Sequence, residues 1–210
     1  MEKRDTKQVI LDEALELFAT RGYKGVTVAD IAQAVGIKAA SLYKHYSSKQ
    51  QIFDSLLARA AAGYTQMTTQ LGLDGQDFTR DVDHFATMGT ETLIQAGEAF
   101  FHFYLHDETT CKIRRMLTIE QYKDPTASQL FVGQYIDAAL AYQSGVFTAF
   151  IATGKMKQVD PDIAAAHFYA PLYLMLCLCD NCPEREEEAL HLIKRHIKQF
   201  AKLYMVEGEG

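Results

Sequence analysis

Thr27-Val28-Ala29-Asp30-Ile31-Ala32-Gln33-Ala34-Val35-Gly36-Ile37 runs on through Lys38-Ala39-Ala40-Ser41-Leu42-Tyr43-Lys44-His45-Tyr46 to Ser47-Ser48-Lys49. Two short helices and a tight turn are written into it. Thr27 with Asp30 three residues on is close to a capping box, with Asp in place of Glu or Gln. Val28, Ile31, Ala32 and Val35 fall on one helical face, and Gly36 stops that helix after two turns. Ala39, Leu42, Tyr43 and Tyr46 are expected on the inner side of the next helix, with the Tyr43 ring turned to the core. Lys38, Ala40, Ser41, Lys44 and His45 remain outside. They are small, polar or cationic, as a helix lying in a major groove requires.

The flanks extend the reading. Upstream, Leu11, Ala14, Leu15 and Phe18 form one face of a helix over about 6–20 that Gly22 ends. Together these segments make a three-helix helix-turn-helix head. Thr27 sits at a helix N-terminus, where free N–H groups and the dipole favour an anion. Lys49 lies just inside the next helix start, where a cation opposes the dipole unless an anion such as phosphate sits there too. That fourth helix is expected to run from the Ser47-Ser48 caps to about Gln70. Leu71-Gly72-Leu73-Asp74-Gly75 then reads as a flexible break.

Downstream, the apolar residues keep a helical period and sustained strand alternation is absent. Helices are expected at about 77–106, 108–121, 126–154, 160–180 and 184–205. The fold class is therefore all-α, with about nine helices: a head over 1–63 (motif 27–46) and a larger helical body over 64–210. Leu190, Ile193, Ile197, Phe200 and Tyr204 recur at heptad spacing on the last helix. The preceding helix, carrying Leu174 and Leu178, is apolar nearly all round. A dimer seam built from these two helices follows. Phe101, His102, Leu105, His106, Tyr135, Tyr142, Gln143 and Phe147 mix apolar and polar groups in the manner of a small-molecule pocket.

Composition sets bounds. The chain has 210 residues, a formal charge of −6 and 48% hydrophobic residues, within the range of soluble globular proteins. Residues 1–50 carry +2 (eight Lys/Arg against six Asp/Glu), and residues 51–210 carry −8 (13 against 21). A slightly basic head on an acidic body points to one localised anionic partner, not to a chain that coats nucleic acid over its whole surface. The apolar run Phe168–Cys179 has 12 residues and contains Pro171, which is short of the roughly 20 needed for a membrane span. It is expected as a buried core helix. The polar start MEKRDTKQ shows no export signal, and four cysteines fit free thiols, so the expected location is cytoplasmic with no membrane partner.

Other chemistry is thinly supported. His102 and His106 stand four apart, a spacing that can bind Zn²⁺, and Cys177-x-Cys179-x-x-Cys182 clusters three thiols. Neither has the paired C-x-x-C form, so no metal site and no cofactor are expected. There is no G-x-S-x-G, phosphate-binding glycine loop or H-E-x-x-H, and no catalytic residue is assigned.

The runs Ile10–Tyr23, Thr27–Ile37 and Ser41–Tyr46 followed by Ser48-Lys49 together resemble the opening of the TetR/AcrR family of transcriptional regulators. The resemblance covers about residues 6–60. It implies a homodimer whose two heads read a palindromic double-stranded operator, and a body that binds a small effector. By position, Thr27, Tyr43 and Lys49 resemble the family's phosphate contacts, and Lys38, Ala40, Ser41, Lys44 and His45 its base-facing surface. Ala39-Ala40 stands where many members carry Gly or Pro, which blurs the bases read. The expected function is a ligand-responsive repressor released from its operator by the effector. The alternative is a small-molecule or metal-binding protein of this fold without DNA recognition.

Overall fold

The computed structural model describes residues 5–87 and 89–206. Met1–Arg4 of the polar N-terminal stretch lie outside the described residues, as do Met88 and the last four. The described residues form eleven α-helices and no named strand: α1 Thr6–Arg21, α2 Val28–Val35, α3 Ala39–Leu42, α4 Lys49–Gln70, α5 Phe78–Thr87, α6 Thr90–His106, α7 Glu108–Glu120, α8 Pro125–Val132, α9 Ala138–Ala152, α10 Pro161–Asn181 and α11 Glu186–Tyr204. Two expected helices are each divided. The stretch 77–106 breaks around Gly89, and 126–154 is interrupted by a π-turn at Gly133–Asp137. Glycine is the poorest helix former after proline, and both interruptions contain one.

The chain forms two compact units. The first runs through Gly63 and takes in Asp107–Phe131; the second holds Tyr64–His106 and the residues from Val132 onward. In the first, α1 turns Ile10, Leu11, Ala14, Leu15 and Phe18 inward. Ile31, Ala32, Leu42, Ile52, Phe53 and Leu56 meet them in a buried core. Helix α7 packs along α1 and adds Ile113, Met116 and Leu117. Gly22 ends α1 at φ +72°, and a β-carbon there would collide with the Glu120 carboxylate. That position needs glycine both for its left-handed backbone and for space.

The second unit has two apolar clusters. One joins Ile94, Phe101 and Leu105 of α6 to Met175, Leu176 and Cys179 of α10 and Ala189, Ile193 and Ile197 of α11. The other joins Val146, Phe147 and Phe150 of α9 to Ala164, Ala165, Met156 and Phe200. Phe168 packs against both.

The second unit bears on three expectations. First, Ile193, Ile197 and Phe200 are buried inside their own chain, with Ile193 at 1% exposure: this part of the α11 heptad stripe packs on α6, α9 and α10. Leu190 and Tyr204 pack on the same clusters. A heptad spacing marks an apolar face without saying which helix covers it. Second, α10 buries only part of its surface within its own chain: Leu174 is 61% exposed and Ile163 54%, which leaves one side of this apolar helix open. Third, Leu71–Gly75 is a pinned turn. The Asp81 carboxylate, 2% exposed, accepts the N–H groups of Asp74 (2.7 Å) and Gly75 (2.8 Å) and the Tyr142 hydroxyl (2.5 Å). The Tyr64 hydroxyl donates to the Gly75 carbonyl at 2.8 Å.

The residues expected around an effector are spread out. Phe101 and Leu105 lie in the first cluster and Phe147 in the second. Tyr135 is buried in the π-turn, whose carbonyl accepts the Tyr169 hydroxyl at 2.5 Å. Tyr142 serves Asp81, and Gln143 is half-buried. His102 and His106 are exposed. An open surface cleft is lined by Leu140, Ala141, Ser144 and Asp162, none of them among these eight.

Candidate nucleic-acid interface

The interface is built on the turn between α2 and α3. Thr27 caps α2: its hydroxyl oxygen accepts the Asp30 N–H at 3.1 Å, and the Asp30 carboxylate accepts the Thr27 N–H at 2.7 Å. The Thr27 hydroxyl also donates to that carboxylate at 2.5 Å. These bonds hold the Asp30 carboxyl below its ordinary range, the side-chain bond from Thr27 foremost, with a smaller pull from Arg21. At the other end Gly36 takes φ +77°, and the Ile37 and Gly36 N–H groups close on the carbonyls of Ala32 and Gln33. This is a Schellman ending. A β-carbon on Gly36 would touch nothing within 4 Å, so the backbone angle alone demands glycine.

Helix α3 is brief. It covers Ala39–Leu42, and the N–H groups of Lys44, His45 and Tyr46 then bond back to Ser41 and Leu42, so the chain keeps winding to Tyr46. Leu42 and Tyr46 are its anchors. Tyr46 is buried under the Lys7 ammonium, which lies 5.4 Å from its ring centre. Tyr43, expected inside, is 54% exposed, and Ala39 is exposed as well. Leu42 and Tyr46 lie one turn apart on this winding and fill its inner side, which leaves Tyr43 and Ala39 outside. Lys38, Ala40, Lys44 and His45 are exposed and Ser41 is half-buried, so the expected base-facing set shares one open surface with Tyr43.

Lys49 behaves differently from its sequence reading. Its ammonium donates to the carbonyls of Tyr23 (2.8 Å) and Val26 (2.9 Å) and lies 4.2 Å from the Tyr23 ring centre. Burial lowers its pKa, partly offset by Glu120. The charge at the start of α4 is therefore satisfied by backbone oxygens and an aromatic face. Ser48 caps α4 by accepting the Gln51 N–H, while the Gln51 side chain accepts the Ser47 N–H.

Known proteins match this geometry. The family described as bacterial regulatory proteins of the tetR family matches residues 10–56, and the AefR-like transcriptional repressor C-terminal domain matches residues 91–206. The negative transcriptional regulator IcaR of the biofilm operon icaADBC, from Staphylococcus aureus, is 50% identical over 48 residues. That is 23% of this chain and 26% of IcaR, so the alignment spans about a quarter of the relative. A TetR regulator from Chloroflexus aurantiacus superposes with a TM-score of 0.68 at 18% identity, covering 96% of this chain and 97% of that one. SmeT, the repressor of the Stenotrophomonas maltophilia multidrug efflux pump SmeDEF, superposes at 0.64 and 19% identity, covering 98% and 93%. At such identities the structures speak for the fold. With the C-terminal family matching more than half the chain, this protein belongs to the TetR family of transcriptional regulators, with an N-terminal DNA-binding domain.

Proposed function

We propose that the protein is a homodimeric repressor that reads a palindromic operator through the surface around α3 and leaves it when a small effector binds the second unit. The observation that carries this reading is the open surface of Lys38, Ala40, Ser41, Tyr43, Lys44 and His45, which its own chain does not cover. Ala40 and Ser41 leave room for base edges, Lys44 and His45 supply donors, and Lys38 and the Tyr43 hydroxyl suit phosphates. Thr27 contributes the N-terminus of α2, although Asp30 already occupies part of that field. Lys49 holds the head together and adds charge near the backbone without leaving its carbonyls.

The dimer uses what α10 and α11 leave uncovered: Ile163, Ala170 and Leu174 on the former, Leu192 and Leu203 on the latter. On α10 these fall at spacings of seven and four, one side of a helix, opposite the residues that enter the core. An apolar effector enters along the seam between the two clusters of the second unit, where Phe168 touches both. A structure of SmeT holds triclosan, an aromatic compound of the kind such a seam suits. Helix α4 carries the chain from the head into the second unit, and its displacement changes the separation of the two heads. Effector and operator then oppose one another through one coupling free energy, typically about 1–3 kcal/mol.

Gel-shift titration of the full chain against fragments of its own genome tests the reading. A salt-sensitive complex is expected, weakened by His45→Ala or Lys44→Ala. Absence of any such complex would favour a ligand-binding protein that has lost DNA recognition.

A further inference from the structure

The sequence offers His102 and His106 as a pair. The fold adds a third group: Glu186, in the first turn of α11. His106 Nε2 stands 2.8 Å and His102 Nδ1 3.4 Å from the same Glu186 oxygen, and the imidazoles stack at 5.7 Å. All three ligand atoms lie within 4.8 Å of one another. Around a tetrahedral Zn²⁺ with bonds of about 2.0–2.2 Å, ligand atoms sit roughly 3.3–3.5 Å apart. The His102 distance to the Glu186 oxygen matches that spacing and the His106 distance is shorter, and both imidazoles are exposed enough for their rings to adjust. Hydrogen bonds from both imidazoles to the carboxylate oxygen would give the same contacts without a metal. A divalent cation uses both nitrogen lone pairs and the carboxylate together.

We propose that His102, His106 and Glu186 form a binding site for a borderline first-row divalent cation, of which Zn²⁺ is the representative. Two imidazoles and one carboxylate suit that class better than Ca²⁺ or Mg²⁺, which take oxygen ligands. A fourth position stays open to solvent or a further ligand. The site ties the last turn of α6 to the first turn of α11, within the second unit. The three thiols do not join this cluster: the grouped ligand atoms are those of His102, His106 and Glu186 alone, and Cys179 is buried in the core. The proposal stands apart from the DNA-binding reading, because its test is metal binding by the full chain.

The test is Zn²⁺ titration against a chromophoric chelator, with Co²⁺ as a spectroscopic stand-in. One equivalent per chain is expected, with ligand-field bands and no thiolate-to-cobalt charge-transfer band. His102→Ala, His106→Ala and Glu186→Gln should each weaken affinity by about 100-fold or more, at least what losing an outer supporting partner costs in metal sites. Cys177→Ser with Cys182→Ser should leave it unchanged. Circular dichroism of each variant confirms that these surface changes keep the fold. No uptake in competition with the chelator, unchanged affinity in Glu186→Gln, or loss of binding only in the cysteine variant would each overturn the site.

Discussion

The Lys49 ammonium reaches back across the head to the Tyr23 carbonyl, 2.8 Å away, and rests over the Tyr23 ring. It thereby fastens the start of α4 to the loop that follows α1. Lys49→Met keeps most of the stem and removes the charged donor from two carbonyls. The head should lose about 2 kcal/mol of stability, the scale of hydrogen bonds to a charged group. Denaturant unfolding of the variant checks this. An unchanged midpoint with a flatter salt dependence of DNA binding would return Lys49 to a phosphate role.

Thr27→Val removes the oxygen that caps α2 and should cost about 1 kcal/mol. The capping box also sets an acid response. Because the folded head holds the Asp30 carboxyl below its ordinary value of 3.8, its contribution is complete above that value. It is lost as pH falls through the lowered one. Acid titration followed by NMR of the Thr27 and Asp30 amides should show α2 loosening at its start in that window, and Thr27→Val should blunt the transition.

Leu174→Glu and Ile193→Ala separate the two apolar faces of the C-terminal helices. The first places a charge on an exposed leucine and should yield folded monomer by light scattering. The second opens a cavity in the core of the chain and should cost about 2–5 kcal/mol in denaturant unfolding. A monomer from Ile193→Ala without loss of stability, or an intact dimer with Leu174→Glu, would restore the heptad stripe as the seam.

Asp81→Asn should loosen the 71–75 turn. An amide nitrogen in place of one carboxylate oxygen faces either the Asp74 N–H, or the Gly75 N–H together with the Tyr142 hydroxyl, and a loss of about 2–3 kcal/mol is expected. Faster hydrogen exchange at Asp74 and Gly75 would accompany it. Slow exchange retained in the variant would show that the bonds from Tyr64 and Thr68 hold the turn without Asp81.

The head was legible from local signals. Thr27 with Asp30, Gly36 and the spacing of Ile31, Ala32 and Leu42 each announce a cap, a stop or a buried face within a few residues. What the sequence left open depended on partners far along the chain. Periodicity showed that Ile193 and Ile197 are apolar neighbours on a helix, yet α6 covers them instead of a second chain. Tyr43 and Tyr46 lie three apart, and only the brevity of α3 decides which enters the core. Lys49 looked like an uncompensated charge because the carbonyls that accept it lie 26 and 23 residues upstream. Glu186 carries no motif with His102 and His106, and folding alone brings it to them. Asp81 was missed for the same reason: one aspartate on an amphipathic helix gives no sign of the turn it will hold.

Selection of random duplexes by the full-length chain tests whether the surface around α3 reads DNA sequence. The expected outcome is an enriched inverted repeat with half-site centres about 34–36 Å apart. Its consensus should change with His45→Ala, with a discrimination loss of about 1–3 kcal/mol at the affected base pair. No enriched sequence, or one that stays the same when Lys44 and His45 are both replaced by alanine, would contradict the account.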